Sequence, residues 1–367
     1  MKTKKNAPEI KTTEELMREI PEDEIWTYRI DGLQEPQIGK DHSHSTGKKI
    51  LTIVTLVIAI SLSIYFSIRA VHTQTYDFNE LDDGTFELVK FSNPGDLKTL
   101  TVDCVDGDAA KPITVLHEYA FNCDDKLESI RIGANVKTID GKSFYSCDKL
   151  QAILVDENNE NFCDIDGVLY TKDLTRVICH PMDHDQYLRS KNGYKEPMNP
   201  EDDGYDAYVE SVLTYRLPEQ TKTVGMLAFN YAEIVNLYLP QGLETIETMA
   251  FFKSETLQNV YTVDGDKQYR SLPDGLTYIG SDAFSYDQGL HYLFIPDSVT
   301  FIGHHAFWDT VYKENGELVG VSVIHAALDE ETFKKQVHTG DQWKPQYDYM
   351  LFKKSVDVQY NAERTAE

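Results

Sequence analysis

The chain has 367 residues and carries 61 acidic against 35 basic side chains, a formal net charge of −26. A body so acidic repels phosphate backbones, which excludes nucleic acid as a partner. Residues 1 to 69 hold ten charges of each sign, so the whole imbalance, 51 acids against 25 bases, falls after residue 69.

Residues 1–49 are polar and mixed in charge, and their composition predicts a largely disordered tail. One short helix is expected from Thr13, as its cap, to Ile20, where Pro21 stops it. Residues 50–68, ILTIVTLVIAISLSIYFSI, contain no charge. Nineteen residues at about 1.5 Å each reach roughly 29 Å, enough for a single transmembrane α-helix. Lys40, Lys48 and Lys49 precede this run and only Arg69 follows it, which places the N-terminus in the cytoplasm and the C-terminal part outside the cell. The long leader and the lack of a small-x-small site after Ile68 favour an uncleaved anchor over a signal peptide. A polar stalk follows, residues 69–78.

From residue 79 to 310 the chain repeats. Aligning Phe121 with Phe144, 23 residues apart, also aligns Leu116 with Ile139, Leu127 with Leu150 and Ile130 with Ile153. The same frame, an apolar residue five positions before an Ala-Phe pair, returns at Phe229, Phe251, Phe284 and Phe307. A proline stands eleven residues before each of these, at Pro218, Pro240, Pro273 and Pro296. One such unit cannot bury a face alone, so a fixed period in the twenties predicts a β-rich leucine-rich repeat solenoid with coils of 22–23 residues. Stacking at the strand spacing is expected to pile the six phenylalanines into one column. Gly225, Gly280 and Gly303 are expected to mark a tight bend.

The pattern L-x-x-I-x-I-P-x-x-V-x-x-I-G-x-x-A-F-x-x-C resembles the BspA-like leucine-rich repeats of bacterial surface proteins. It is clearest from Leu290 to Phe307 and from Phe144 to Leu150 with Cys147. Val155 to Asn159 followed by Asp166 to Tyr170 resembles a hairpin insertion of that family, and Asp83 to Leu88 its first strand. Cys123 sits one residue early relative to Cys147, and the coil after Phe229 is one residue short. The resemblance implies a surface-displayed repeat protein with a role in adhesion and a buried, unpaired Cys147.

The long gap between Phe144 and Phe229 holds an insertion, residues 156–212. It opens with a hairpin, Val168 to Tyr170 against Val177 and Ile178. The stretch from about residue 182 is rich in Asp, Gly, Asn and Pro and reads as loop. Tyr187, Tyr194, Tyr205 and Tyr208, interleaved with acids, are the candidate ligand contacts, since tyrosine offers amphipathic area at low entropic cost. Residues 311–367, with Trp343 and Leu351-Phe352, are expected to cover the far end of the core.

Chemistry is harder to find. The five cysteines are an odd number and are read as structural thiols. Cys179-His180 with Asp183, His184 and Asp185 looks metal-like but lacks a ligand frame. Asp164-x-Asp166-Gly167 lacks the later glutamate of a calcium loop. With no nucleophile elbow, phosphate loop or dinucleotide motif, neither enzyme activity nor a cofactor is expected. The expected function is a membrane-anchored display protein that binds an extracellular protein or glycan. A transmembrane sensor and the targeting module of a wall-active enzyme are the alternatives.

Overall fold

The computed structural model describes residues 57–58, 61, 74–121, 124–290, 292–308, 310–314, 317–320, 323–337 and 357–364. The expected tail, nearly all of the apolar run 50–68, Cys123 and residues 338–356 of the expected cap lie outside them. Among the described residues no helix is long and apolar enough to cross a membrane. All elements named below belong to the unit Ser67–Glu367.

The first strands are β1 (Thr75–Glu80), β2 (Phe86–Ser92) and β3 (Thr99–Val102). Two coils follow with β4 (Ile113–Leu116), β5 (Ser129–Ile132), β6 (Thr138–Ile139) and β7 (Ala152–Val155). Every coil supplies one strand to each of two sheets, so β2, β4 and β6 run parallel on one side and β3, β5 and β7 on the other. The antiparallel β1 covers the outer edge of the first sheet.

The insertion contributes β8 (Phe162–Ile165), β9 (Val168–Thr171) and β10 (Arg176–Cys179), then two helices, α1 (His184–Asn192) and α2 (Tyr205–Val212). The stretch read as loop is therefore helical in two places. Beyond it come β11 (Thr214–Arg216), β12 (Thr223–Val224), β13 (Asn236–Pro240), β14 (Thr245–Ile246), β15 (Asn259–Asp264), β16 (Lys267–Tyr269), β17 (Tyr278–Ile279), β18 (Leu293–Ile295) and β19 (Phe301–Ile302). A hairpin of β20 (Val311–Glu314) and β21 (Glu317–Gly320), then β22 (Val323–Ala326), α3 (Glu330–Gln336) and β23 (Asp357–Gln359), complete the described chain. Strand β10 pairs in parallel with β12 and leads the column of short strands β12, β14, β17 and β19. The 33-residue interval between Phe251 and Phe284 is explained by β16, which folds back antiparallel on β15 and ends that sheet; β18 starts a new one with β22 and β23.

Two cores result, with the insertion hairpin as the wall between them. Leu169 and Ile178 join the first core with Phe121 and Phe144, whereas Val168, Tyr170 and Val177 join the second. Alternation along a strand sends neighbouring side chains to opposite faces, so one hairpin serves both.

The six phenylalanines accordingly form two stacks and not one column. Phe121 stacks on Phe144 at 5.6 Å, and Phe229, Phe251, Phe284 and Phe307 stack at 5.2, 5.0 and 5.6 Å. A backbone bond recurs along both stacks, in which the N–H of a rung donates to the carbonyl just before the next one. Phe229 donates to Ala250 at 2.7 Å, Phe251 to Ala283 at 2.8 Å and Phe284 to Ala306 at 2.7 Å. By the same bond Phe91 is a rung, donating to Ala120 at 2.8 Å, and so is His180, donating to Ala228 at 2.7 Å with its ring 5.0 Å from that of Phe229. Neither fits the Ala-Phe pattern, which is why the sequence hides them.

The glycine expectation needs correction. Gly225, Gly280 and Gly303 do not have left-handed backbones. A Cβ on Gly225 would lie 2.7 Å from the Val177 carbonyl, and one on Gly280 or Gly303 would collide with the backbone nitrogen of Thr248 or Ser281. The glycines are there because neighbouring coils approach too closely for a side chain. The prolines, in turn, share one turn: the carbonyls of Pro218, Pro240, Pro273 and Pro296 accept from the N–H three residues on, at 2.9 to 3.4 Å.

Candidate recognition groove

Helix α1 ends on Gly193, whose left-handed φ of 83° lets its N–H reach the carbonyls of Arg189 and Ser190. Helix α2 is an amphipathic helix of about two turns that buries Tyr208 and Val212, four residues apart. The helices are tied by Asn192, which donates to the Ser211 carbonyl at 3.1 Å, and by Tyr194, edge-on to Tyr208 at 5.0 Å. Beneath them Asp185 and Arg189 form a buried pair at 2.6 Å, and Arg189 also donates to Gln186 at 2.6 Å.

The insertion overhangs the coils and leaves a groove of about 520 Å³. Its roof includes Met198, Tyr205 and Tyr208, and its floor includes Glu233, Glu255 and Gln288. These last three stand four residues after Phe229, Phe251 and Phe284, so the repeat places them side by side in three successive coils. Close approach is built in here too, because a Cβ on Gly289 would collide with the Glu255 carbonyl. Burial, and then the charge of Asp185, pushes the Glu233 carboxyl above its ordinary range.

Of the four tyrosines singled out by the sequence, Tyr205 and Tyr208 line the groove. Tyr194 packs behind them, and Tyr187 stacks on His184 at 5.4 Å outside it. Tyr208 is only 2% exposed, so its ring fixes the roof more than it offers free surface. The floor residues are not apparent from composition. The signal that finds them is the repeat register itself, read four positions past each rung.

Other candidates are spoken for. His180 and His184 lie ring to ring at 4.7 Å, but their Nδ1 atoms face the Pro181 and Gln151 carbonyls at 3.0 and 2.8 Å. Burial holds His184 down to about 4 and pushes the Cys179 thiol up to about 12. Asp164 accepts from the Val155 N–H at 2.7 Å, and Asp166 pairs with Lys191 at 2.5 Å. Among the described residues no three His, Cys, Asp or Glu side chains are grouped to hold a metal, and Cys104, Cys147, Cys163 and Cys179 are free. Cys179 faces Leu169 across a bulge in the hairpin.

Among solved structures the chain is similar to the pneumococcal vaccine antigen PcpA, at 17% identity over 74% of this chain and 69% of that one, with a TM-score of 0.36. It is also similar to a leucine-rich repeat protein from Eubacterium ventriosum (14%, 80% and 95%, TM-score 0.40). A leucine rich cell surface protein from Faecalibacterium prausnitzii matches at 20% over 68% of this chain and 64% of that one, with a TM-score of 0.41. No curated protein matches it. The model of the BspA type leucine rich repeat region matches six copies, over residues 91–166 and 207–314, and the stretch it skips contains β9, β10 and α1. The chain therefore belongs to the BspA type leucine rich repeat family.

Proposed function

We propose that this is a cell-surface display protein, anchored by residues 50–68 with its N-terminus in the cytoplasm, whose repeats bind an extracellular protein or glycan without chemistry and serve adhesion. One observation carries this reading: the insertion overhangs three successive coils and turns an otherwise regular surface into a groove. Its walls combine ring faces, amides and carboxylates, which suit recognition by contact. A repeat scaffold supports such a site well because each coil holds the next in fixed register.

The test compares fragment 79–367 with the same fragment lacking residues 183–212, in pull-downs and on a glycan array. Loss of the captured ligand with the deletion is expected, and equal capture by both contradicts the reading. For the anchor, protease added to intact cells should digest the repeats and spare residues 1–49; degradation of that tail would contradict the orientation.

A further inference from the structure

The floor of the groove places two like charges together. Glu233 and Glu255 hold the same position in adjacent coils, about 4.8 Å apart along the stack. Among the described residues Arg189 is the one basic side chain lining the groove, and Asp185 and Gln186 already engage it. Its Nε, however, is buried without a hydrogen-bond partner. A neutral ligand covering this floor would desolvate two carboxylates without neutralising their charge, which is costly. A cation offsets that cost, and the excess of acids after residue 69 draws cations toward it.

We propose, resting on the recognition reading above, that the groove takes an extended polypeptide segment by a basic side chain. The cationic head sits at Glu233 and Glu255, and the stem lies along Tyr205 and Met198. Arginine suits the site better than lysine, since its planar head meets carboxylates in pairs and stacks on tyrosine. The hydroxyls of a glycan can donate to the carboxylates but bring no positive charge to balance the two together.

The experiment is fluorescence anisotropy on the full chain, with a labelled peptide of alternating alanine and arginine and its counterpart carrying neutral citrulline. The arginine peptide should bind and the citrulline peptide should not. The double variant Glu233→Gln/Glu255→Gln should weaken binding about tenfold or more, and Tyr205→Ala should weaken it as well. Glu80→Gln/Asp82→Asn removes the same charge from the exposed end of β1 and the turn after it, and should leave binding unchanged. Circular dichroism and melting temperature check that each variant is folded. Equal weakening by the two double variants would assign binding to bulk acidity and overturn the proposal, as would tight binding of the citrulline peptide. If the natural ligand stays on Glu233→Gln/Glu255→Gln but is lost when residues 183–212 are deleted, this inference fails and the recognition reading stands. Retention after the deletion removes both.

Discussion

Two positions flanking the rung, two residues before and two after, sit in the left-handed region of backbone space. Tyr119, Leu227, Met249, Asp282 and His305 do so before it, and Ser146, Tyr231, Lys253 and Tyr286 after it, with φ from 56° to 66° or, for Asp282, 54°. None is glycine, so the sequence gives no sign of this turn, and each carries a cost of about 1–2 kcal/mol. Replacing Ser146 by glycine should therefore raise stability by about 1 kcal/mol in urea unfolding. Gly303→Ala should lower it by about 1–3 kcal/mol, because the clash is with backbone that cannot turn aside. His180 gives a pH dependence. Burial, and then the neighbouring His184, holds its pKa well below 6.5. The unfolded chain thus takes up the proton first, and stability present above pH 6.5 is lost as pH falls toward 4. His184, lowered to about 4, adds up to about 3 kcal/mol of the same sign. Buried Asp287, raised well above 3.8 by its burial, works in the opposite direction, so a single variant is needed to separate them. His180→Phe restores the residue typical of a rung. The gap between urea midpoints at pH 7.5 and 4.5 should narrow, and an unchanged gap would contradict this role.

At the scale of elements, the hairpin β9–β10 was legible and the helices were not. The apolar run Val168-Leu169-Tyr170 announces a strand, and Thr171-Lys172-Asp173 announces the turn that leads to β10, while Asp166-Gly167, both at positive φ, make the tight turn from β8 into β9. Helix α1 is polar and both helices are short, and what holds them is tertiary: the Asp185–Arg189 pair and the packing of Tyr194 on Tyr208. No local pattern announces such helices. The hairpin is fastened to the second block by Arg176, whose guanidinium donates to both Glu247 oxygens at 2.6 and 2.5 Å. Glu247 stands where other coils carry the close-contact glycine, and it also accepts from the Met226 N–H at 2.9 Å. Both side chains keep about a third of their exposure (35% and 28%), so Arg176→Met should cost only about 1–2 kcal/mol in thermal unfolding. A loss no larger than that of an exposed pair such as Lys222–Glu244 would show that the clasp is incidental.

Over the whole molecule, the repeat was readable because its rungs recur at nearly fixed spacing, and the family followed from the same residues. Its division into two cores was not, since the dividing wall is an irregular hairpin whose first rung is a histidine. Half of the groove was readable as well: Tyr205 and Tyr208 stood out as aromatics in an acidic stretch, while the floor is invisible until the coils are stacked. Roof and floor, distant in sequence, are proposed to form one site. Hydrogen–deuterium exchange on the full chain, with and without its captured ligand, tests this most directly. Exchange should slow in four separate segments, around residues 197–213, 233–235, 255–258 and 288–289. Protection confined to one of them, or found instead at the N-terminal strands 75–113, would contradict it.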